Sequence, residues 1–321
     1  LRPYLANGLQ ARPFHPVSDP MQMSRINFRN HRKVVVVDGH SAYIGGHNVG
    51  EEYVGRHPRL TPWRDTHLHI QGPAAMATQL AFVEDWYWAT ESRLDLDWTP
   101  VPSADGDIPV LILPSGPADE LETANLMFVH AINSAKERIW IASPYFVPDR
   151  PVVTALQLAG LRGVDVRILI PDKADHLGVW LAAYSYLDES ANTGVEFYRY
   201  QDGFLHQKVM LIDDVVATVG TANFDNRSFR LNFEITALVV GCAALADCHK
   251  PAQRQLSTIT TVTWWRRWES NPTVGDTPTL RGHSVFPRIA LLSTPPALLL
   301  EFPAIPWNPP DCPGLWSLFG H

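Results

Sequence analysis

Two short stretches of the chain carry the same set of residues suited to phosphate chemistry. Five residues recur in the same order, and each member of the second set lies 175 positions after its counterpart in the first. Because a chance match at one position has a frequency of roughly one in twenty, the recurrence indicates an internal repeat and two homologous halves. The two sets are His31, Lys33, Asp38, Gly45 and Asn48, and His206, Lys208, Asp213, Gly220 and Asn223.

The His-x-Lys segment of each set offers the groups that a phosphodiester reaction requires. On a strand, residues two apart share a face, so His31 and Lys33 should point the same way, as should His206 and Lys208. The lysines would neutralise the non-bridging oxygens, one imidazole would attack phosphorus, and the other would protonate the leaving alkoxide. Because lysines carry the charge, this chemistry predicts no metal ion and no cofactor.

Glycine and asparagine residues would support the phosphate. Gly45 and Gly220 allow neighbouring backbone to approach closely, since they lack a Cβ atom. The side-chain amides of Asn48 and Asn223 can donate hydrogen bonds to phosphate oxygens. We therefore expect all four residues to lie near the two His-x-Lys segments.

Four carboxylates could assist the histidines. An attacking imidazole needs a partner that fixes its tautomer, and each half has an acidic residue at the start of its predicted third strand, Asp65 and Glu234. An ion pair between either residue and a nearby arginine is the alternative. Asp38 and Asp213 each end an apolar strand, where a structural role in a turn and a catalytic role are equally open.

Apolar runs and amphipathic segments alternate through the first 240 residues, which predicts an α/β fold with layered sheets. A polar, proline-containing stretch at 97–107 is the predicted linker between the halves. Strands are predicted at 33–38, 42–45, 66–70, 138–143, 164–170, 195–200, 208–213, 217–220 and 235–240, and helices at 73–90, 119–136, 152–161 and 176–188.

The predicted organisation is a first half at 1–105, a second half at 106–240 and an irregular tail at 241–321. The tail holds all three cysteines and 11 of the 27 prolines of the chain. Its prolines disfavour helices and central strands, and its cysteines lack the spacing of a disulfide framework or a zinc site. We expect this tail to contribute nothing to the chemistry.

Composition limits the class of partner. The chain has 26 Lys and Arg against 33 Asp and Glu, and the resulting net charge of −7 argues against a nucleic-acid partner. It contains no run of about 18 apolar residues, so no transmembrane helix is predicted. The sequence does not indicate an oligomeric state.

The two HxKxxxxD segments, His31 to Asp38 and His206 to Asp213, resemble the paired HKD motifs of the phospholipase D superfamily. Their flanking sequences narrow the resemblance to bacterial cardiolipin synthases. The similar stretches are 27–33, 45–53, 63–67, 143–149, 203–208 and 220–228.

This resemblance implies two pseudo-symmetric halves, each a mixed sheet flanked by helices. It implies transfer of a phosphatidyl group between two phosphatidylglycerols with release of glycerol, with His31 as nucleophile and His206 as acid. It also implies a membrane lipid surface as partner, and the bacterial inner membrane as the location of a full-length member. Because members begin with membrane-spanning helices and an opening strand and helix, we expect the first half to be incomplete at its N-terminus.

Two alternatives remain open. The same site would serve a phospholipase D-type hydrolase or nuclease, since the pocket decides whether alcohol or water accepts the phosphoryl group. The chain could also be an inactive, truncated remnant of the synthase, or a lipid-binding module without turnover.

Overall fold

A computed structural model describes residues 9–14, 27–103, 108–190 and 192–241, together with the backbone of two short strands in the tail. These residues form a mixed α/β fold. The strands are β1 Arg29–Asn30, β2 Val34–Val37, β3 Ser41–Gly45, β4 Trp63–Arg64, β5 His67–Gln71, β6 Val110–Ser115, β7 Arg138–Ala142, β8 Phe146–Val147, β9 Asp165–Pro171, β10 Val195–Tyr200, β11 Phe204–Leu205, β12 Val209–Ile212, β13 Val216–Gly220, β14 Phe224–Asp225, β15 Asn232–Val240, β16 Thr279–Leu280 and β17 Glu301–Pro303. The helices are α1 Pro73–Thr90, α2 Thr123–Ser134, α3 Arg150–Leu161, α4 Leu177–Ser190 and α5 Asn226–Arg230.

The strands form two main sheets. The larger has nine strands in the order β1-β15-β13-β12-β7-β9-β10-β16, with β6 also paired to β15. The pairs of β7, β9 and β10 are parallel, and those among β7, β12, β13, β15 and β6 are antiparallel, so this sheet is mixed. The smaller sheet has the order β17-β5-β3-β2. Two further pairs, β11 with β4 and β14 with β8, are parallel.

Both faces of the larger sheet are covered. Side chains alternate between the two faces along each strand, so each strand contributes residues to both contacts. On one face, Ile139 and Ile141 of β7 pack with the helices around Phe128. On the other face, Ile235 packs against the smaller sheet around Ile44. Fully burying each such side chain contributes about 1.5–3 kcal/mol, so both faces anchor the sheet.

Most predicted elements are present with small shifts at their ends. The helix predicted at 73–90 and the strand predicted at 195–200 have the predicted bounds. The helix predicted at 119–136 begins only at Thr123, because the preceding residues form turns. Strand β6 was not predicted, because Pro109 and Pro114 interrupt its apolar run. Among the described strands β6 pairs only with β15, and prolines are tolerated on such an edge strand.

The predicted linker and tail fall partly outside the described residues. Residues 97–103 have no regular structure, and 104–107 lie outside the description. Beyond Gly241, only two segments of the tail are described, and both are short parallel strands: β16 beside β10 and β17 beside β5. Among the helices of the described region, none combines the length and the apolar character needed to span a membrane.

Candidate active site

Each His-x-Lys segment lies between two strands rather than within one. His31 follows β1 and Lys33 precedes β2, while His206 follows β11 and Lys208 precedes β12. The prediction that these residues are part of a regular strand is therefore wrong. The chain leaves one ladder there and enters another. In the first motif, β1 pairs with β15 of the larger sheet and β2 pairs with β3 of the smaller sheet. In the second, β11 pairs with β4 and β12 pairs with β7 of the larger sheet.

The backbone of each histidine is tied to a sequence-distant strand. The His31 N–H donates to the carbonyl oxygen of Phe233 over 2.9 Å, and the His206 N–H donates to that of Arg64 over 2.7 Å. Phe233 and Arg64 directly precede Glu234 and Asp65. Each motif histidine is thus anchored beside an acidic residue that comes from the other predicted half.

The side chains repeat this exchange. His31 Nδ1 lies 2.9 Å from both carboxylate oxygens of Glu234, a residue 203 positions away. His206 Nδ1 lies 2.7 Å from Oδ2 of Asp65, a residue 141 positions away. A carboxylate at Nδ1 holds the proton on that nitrogen and leaves Nε2 free to attack or to accept a proton. The structure therefore brings Asp65 and Glu234 to the histidines, each from across the predicted boundary.

Both carboxylates are completely buried yet favour the ionised state. Burial alone would raise the pKa of Asp65, but the neighbouring His206 and Lys208 outweigh it and lower that pKa. The pKa of Glu234 is likewise lowered, because His31 and Lys33 outweigh its burial. Each histidine thus faces a negative charge at its Nδ1 edge.

The two lysines lie close to both carboxylates. Lys33 Nζ donates to the His31 carbonyl over 2.7 Å, and Lys208 Nζ donates to that of His206 over 2.6 Å. Burial lowers the pKa of Lys33 to about 8 against the opposing attraction of Glu234 and Asp65. Burial lowers the pKa of Lys208 to about 7, with Lys33 adding repulsion. Since the two ammonium groups act on each other, the two motifs share one electrostatic site.

His206 lies in an aromatic pocket and His31 is more open. The His206 ring is 5.0 Å from Trp63, 5.8 Å from Tyr53 and 6.2 Å from Phe204, measured between ring centroids. Its side chain is 10% exposed, against 29% for His31. Burial lowers the pKa of His206 to about 4, and Lys208 contributes to this shift. His206 is therefore neutral at pH 7 in the free protein.

The two glycines are required by close strand contacts. A Cβ atom on Gly45 would lie 2.2 Å from the carbonyl oxygen of Thr66, and one on Gly220 would lie 2.5 Å from that of Ile235. Thr66 and Ile235 directly follow the two acidic residues. The glycines thus let β3 approach the segment between β4 and β5 that carries Asp65, and let β13 approach β15, which carries Glu234.

The two asparagines differ in setting. Asn48 is exposed, and its amide donates to the Tyr53 hydroxyl over 2.7 Å. Asn223 is buried, its backbone N–H donates to Ser228 Oγ over 3.0 Å, and its Oδ1 has no hydrogen-bond partner among the described residues. Asn48 therefore contacts the wall of the aromatic pocket, while the unsatisfied oxygen of Asn223 is available for a donor.

Asp38 and Asp213 lie in turns, both with a left-handed backbone at φ 52° and φ 50°. The Asp213 carboxylate accepts hydrogen bonds from the backbone N–H groups of Lys136, Glu137 and Arg138, at 2.8–3.3 Å. These contacts join the β12–β13 turn to the start of β7. They are structural, which is one of the two roles left open by the sequence.

Sequence reasoning missed the aromatic wall of the site. The spacing of two of its members could have indicated them. Trp63 and Phe204 lie two residues before Asp65 and His206, the spacing that puts side chains on the same face of a strand. Tyr53 belongs to a short 3-10 helix, Glu52–Val54, that gave no such signal. His67, two residues after Asp65, is also buried, and burial lowers its pKa to about 4. Within the described ranges, no group of three or more His, Cys, Asp or Glu side chains could hold a metal ion.

Comparisons with known proteins show what this chain is similar to. Residues 128–254 match the family model "Cardiolipin synthase, PLD-like domain". The chain is 54% identical to cardiolipin synthase A of Pseudomonas aeruginosa (strain LESB58) over 233 residues, which cover 73% of this chain and 47% of the relative. It is also 54% identical to cardiolipin synthase A of Pseudomonas putida (strain GB-1) over 235 residues, which cover 73% and 48%. The chain spans about half the length of the curated relatives it matches.

A solved structure supports the same fold. The phosphatidylserine synthase of Haemophilus influenzae Rd KW20 aligns with 72% of this chain and 62% of its own, with a TM-score of 0.52 and 14% identity. At this identity the likeness concerns the fold alone. Sequence and fold therefore agree, and the chain belongs to the phospholipase D superfamily, within which it resembles the cardiolipin synthases.

Proposed function

We propose that this site transfers a phosphatidyl group from one phosphatidylglycerol to another, forming cardiolipin and releasing glycerol. The observation that carries the proposal is the pair of histidines, each with Nδ1 on a buried carboxylate, together with the buried Lys208 and the partly buried Lys33. The relatives named cardiolipin synthase A favour this substrate over other phosphodiesters. A lipid surface is then the partner, and nucleic acid is not.

The first step forms a covalent intermediate. Nε2 of His31 attacks phosphorus, the bond from phosphorus to the glycerol headgroup oxygen breaks, and His206 gives a proton to that oxygen. The product is glycerol and a phosphatidyl group on His31. Covalent catalysis of this kind divides one difficult displacement into two easier ones. We assign the attack to His31 because its side chain is more exposed than that of His206.

The second step reverses the roles of the groups. A primary hydroxyl of the second phosphatidylglycerol attacks phosphorus, neutral His206 takes its proton, and the bond from phosphorus to His31 breaks. Cardiolipin leaves and the free histidine is restored. Water in place of the hydroxyl would give phosphatidic acid, so the acceptor alone separates a transferase from a hydrolase.

His206 must hold a proton in the first step, although burial keeps its pKa near 4 in the free protein. A bound phosphodiester places a negative charge beside the ring and raises that pKa, since an opposite charge favours the protonated form. Each unit of that rise corresponds to about 1.4 kcal/mol of interaction. In this mechanism His206 takes up a proton from solvent when the substrate anion binds beside it.

The exchanged contacts also support two homologous halves, at 1–105 and 106–240, related by a pseudo-twofold axis. The β1–β15 and β11–β4 pairs are equivalent, because each places a motif histidine beside the acid of the other half. Under this proposal neither half is a complete catalytic unit. The tail at 241–321 contributes no catalytic residue.

The assay that tests the function uses the full chain with vesicles of phosphatidylglycerol. We expect cardiolipin and glycerol in equal amounts, and the same rate with and without EDTA, because two lysines carry the charge that a metal would otherwise supply. Each lysine–phosphate contact at about 4 Å is on the order of 4 kcal/mol at an effective dielectric of 20. The double variant His31→Asn/His206→Asn is the control.

Two results would contradict this assignment. Phosphatidic acid and glycerol without cardiolipin would identify a hydrolase. Loss of activity in EDTA that a divalent ion restores would show that the lysines are insufficient.

The pH dependence of the reaction should depend on the charge state of the two lysines. Below their pKa values of about 7 and 8, Lys208 and Lys33 are charged and can bind phosphate; as pH rises through this range they lose that charge. Because kcat/KM reports the free enzyme, the need to protonate His206 already makes it decline above about pH 4, and we expect loss of the lysine charges to make that decline steeper between about pH 7 and 8. Arginine remains charged throughout, so Lys208→Arg should move the steeper part to higher pH. An alkaline limb unchanged in Lys208→Arg would exclude Lys208 as its origin.

A further inference from the structure

The middle residue of the first His-x-Lys segment, Arg32, has no role in the chemistry above, yet its side chain is only 7% exposed. Its Nε donates to the backbone carbonyl of Glu234 over 2.9 Å. Glu234 is also the residue whose carboxylate holds His31. Glu234 is therefore held at two points: its carboxylate contacts His31, and its backbone carbonyl accepts a hydrogen bond from Arg32.

The rest of the guanidinium group fixes Arg32 to the elements around it. Nη1 forms an ion pair with Asp85 of α1 at 2.8 Å, and Nη2 donates to the carbonyl of Ser115 in β6 over 3.3 Å. The second oxygen of Asp85 accepts from Nδ2 of Asn30 over 2.7 Å, and Oδ1 of Asn30 accepts from the Arg32 N–H over 2.9 Å. Helix α1 thus holds the segment that carries His31 from both sides of the histidine.

The second motif has a similar contact built from different residues. Gln207 is the middle residue there; its Nε2 donates to Thr66 Oγ1 over 2.5 Å, and its Oε1 accepts from Nε of Arg64 over 3.2 Å. Arg64 and Thr66 flank Asp65, the acid that holds His206. In both motifs the middle side chain therefore reaches the strand that carries the acid of the other half.

We propose that Arg32 is a positioning residue: it fixes the backbone of Glu234 so that the Glu234 carboxylate stays on Nδ1 of His31. The proposal rests on the proposed function for its effect on rate, but its structural part does not. Arg32 does not touch the reacting atoms. Its loss lets the acid shift away from the imidazole, and a displacement of about 1 Å at a catalytic pair can cost roughly 10²-fold in rate.

The test compares Arg32→Met with Arg32→Lys in the full chain. Met keeps most of the volume without charge or donors, while Lys restores the charge beside Asp85 but not the planar fork. We expect Arg32→Met to lower kcat about 10²-fold with KM within about twofold, and Arg32→Lys to recover part of that loss. Arg150→Met, which removes an exposed arginine paired with Glu189 on the surface, should leave both parameters unchanged.

A second readout is independent of activity. In protein labelled with ¹⁵N-histidine, the His31 Nδ1 proton on a carboxylate should give a downfield resonance, identified by its absence in His31→Asn. Arg32→Met should weaken or shift this resonance, and Asp85→Asn, which keeps the Nε contact to Glu234, should do so less. The resonance decides the positioning role even if the chain proves not to be a transferase.

Two outcomes would overturn the proposal. One is an Arg32→Met protein with a lower melting temperature but an unchanged His31 resonance and kcat, which would make Arg32 merely structural. The other is a displaced resonance with unchanged kcat in a protein that is active, which would separate the position of Glu234 from catalysis. If Arg32→Met does not fold, Arg32→Lys and Asp85→Asn answer the same question.

Discussion

Replacing His206 with asparagine should stop turnover and leave a phosphatidyl group on His31. The attacking imidazole and its partner Glu234 remain intact in this variant, whereas the group that must take the proton of the incoming hydroxyl is gone. Loss of general acid–base catalysis typically lowers the rate about 10²–10⁴-fold, and both steps would be slowed. The adduct accumulates because the second step needs a base as well as an acceptor.

Mass spectrometry of peptides from an alkaline-quenched reaction checks this result, since the adduct adds the mass of one phosphatidyl group. The His31→Asn variant is the matched control and should carry no adduct. An adduct on His206 in that control would reverse the two roles. The absence of any adduct in the wild type and in both variants would argue for direct displacement of one lipid by the other.

The sequence marks the proposed reacting groups because they recur. His31, Lys33, His206 and Lys208 are recognisable from their spacing alone, and the helix at 73–90 from its periodicity. Strand structure at the motifs was predicted wrongly. The apolar run that follows each motif made the His-x-Lys segment look like the start of the same strand. In the fold, the residues before each motif pair with another sheet, and the ladder is interrupted at the histidine.

The pairing of acids with histidines could not be predicted. Each half offers one histidine and one acid, and spacing allows either a pair within a half or a pair between halves. The choice is made by tertiary packing: β1 joins β15, and β11 joins β4. The contacts of Arg32 could not be predicted either, because they join it to Glu234 and Asp85, which lie 202 and 53 positions away in the sequence.

This crossed pairing leads to the prediction that most sharply tests the site. Asp65→Asn should behave like His206→Asn, although residue 65 lies in the half that contains His31. The amide can no longer stabilise a charged imidazole, and its NH₂ group can impose the wrong tautomer on His206. In serine proteases, the equivalent change from Asp to Asn lowers kcat by about 10⁴-fold. We expect slow turnover, on the order of 10²–10⁴ below wild type, with a phosphatidyl adduct trapped on His31.

Glu234→Gln should have the opposite signature. Glu234 holds the attacking imidazole, so its loss impairs the first step and no adduct should accumulate, as in His31→Asn. Because both carboxylates are completely buried, thermal unfolding of each variant must be measured to separate loss of fold from loss of chemistry.

A double-variant comparison completes the argument. Asp65→Asn should add little to the rate loss of His206→Asn, because residues that act as one unit are not additive, whereas it should add its full effect to that of Glu234→Gln, which weakens the other pair but keeps the nucleophile. If instead Asp65→Asn prevents the adduct and Glu234→Gln traps it, the working pairs lie within the halves. The contacts of 2.9 Å and 2.7 Å between the crossed partners would then describe a resting arrangement that the reaction does not use.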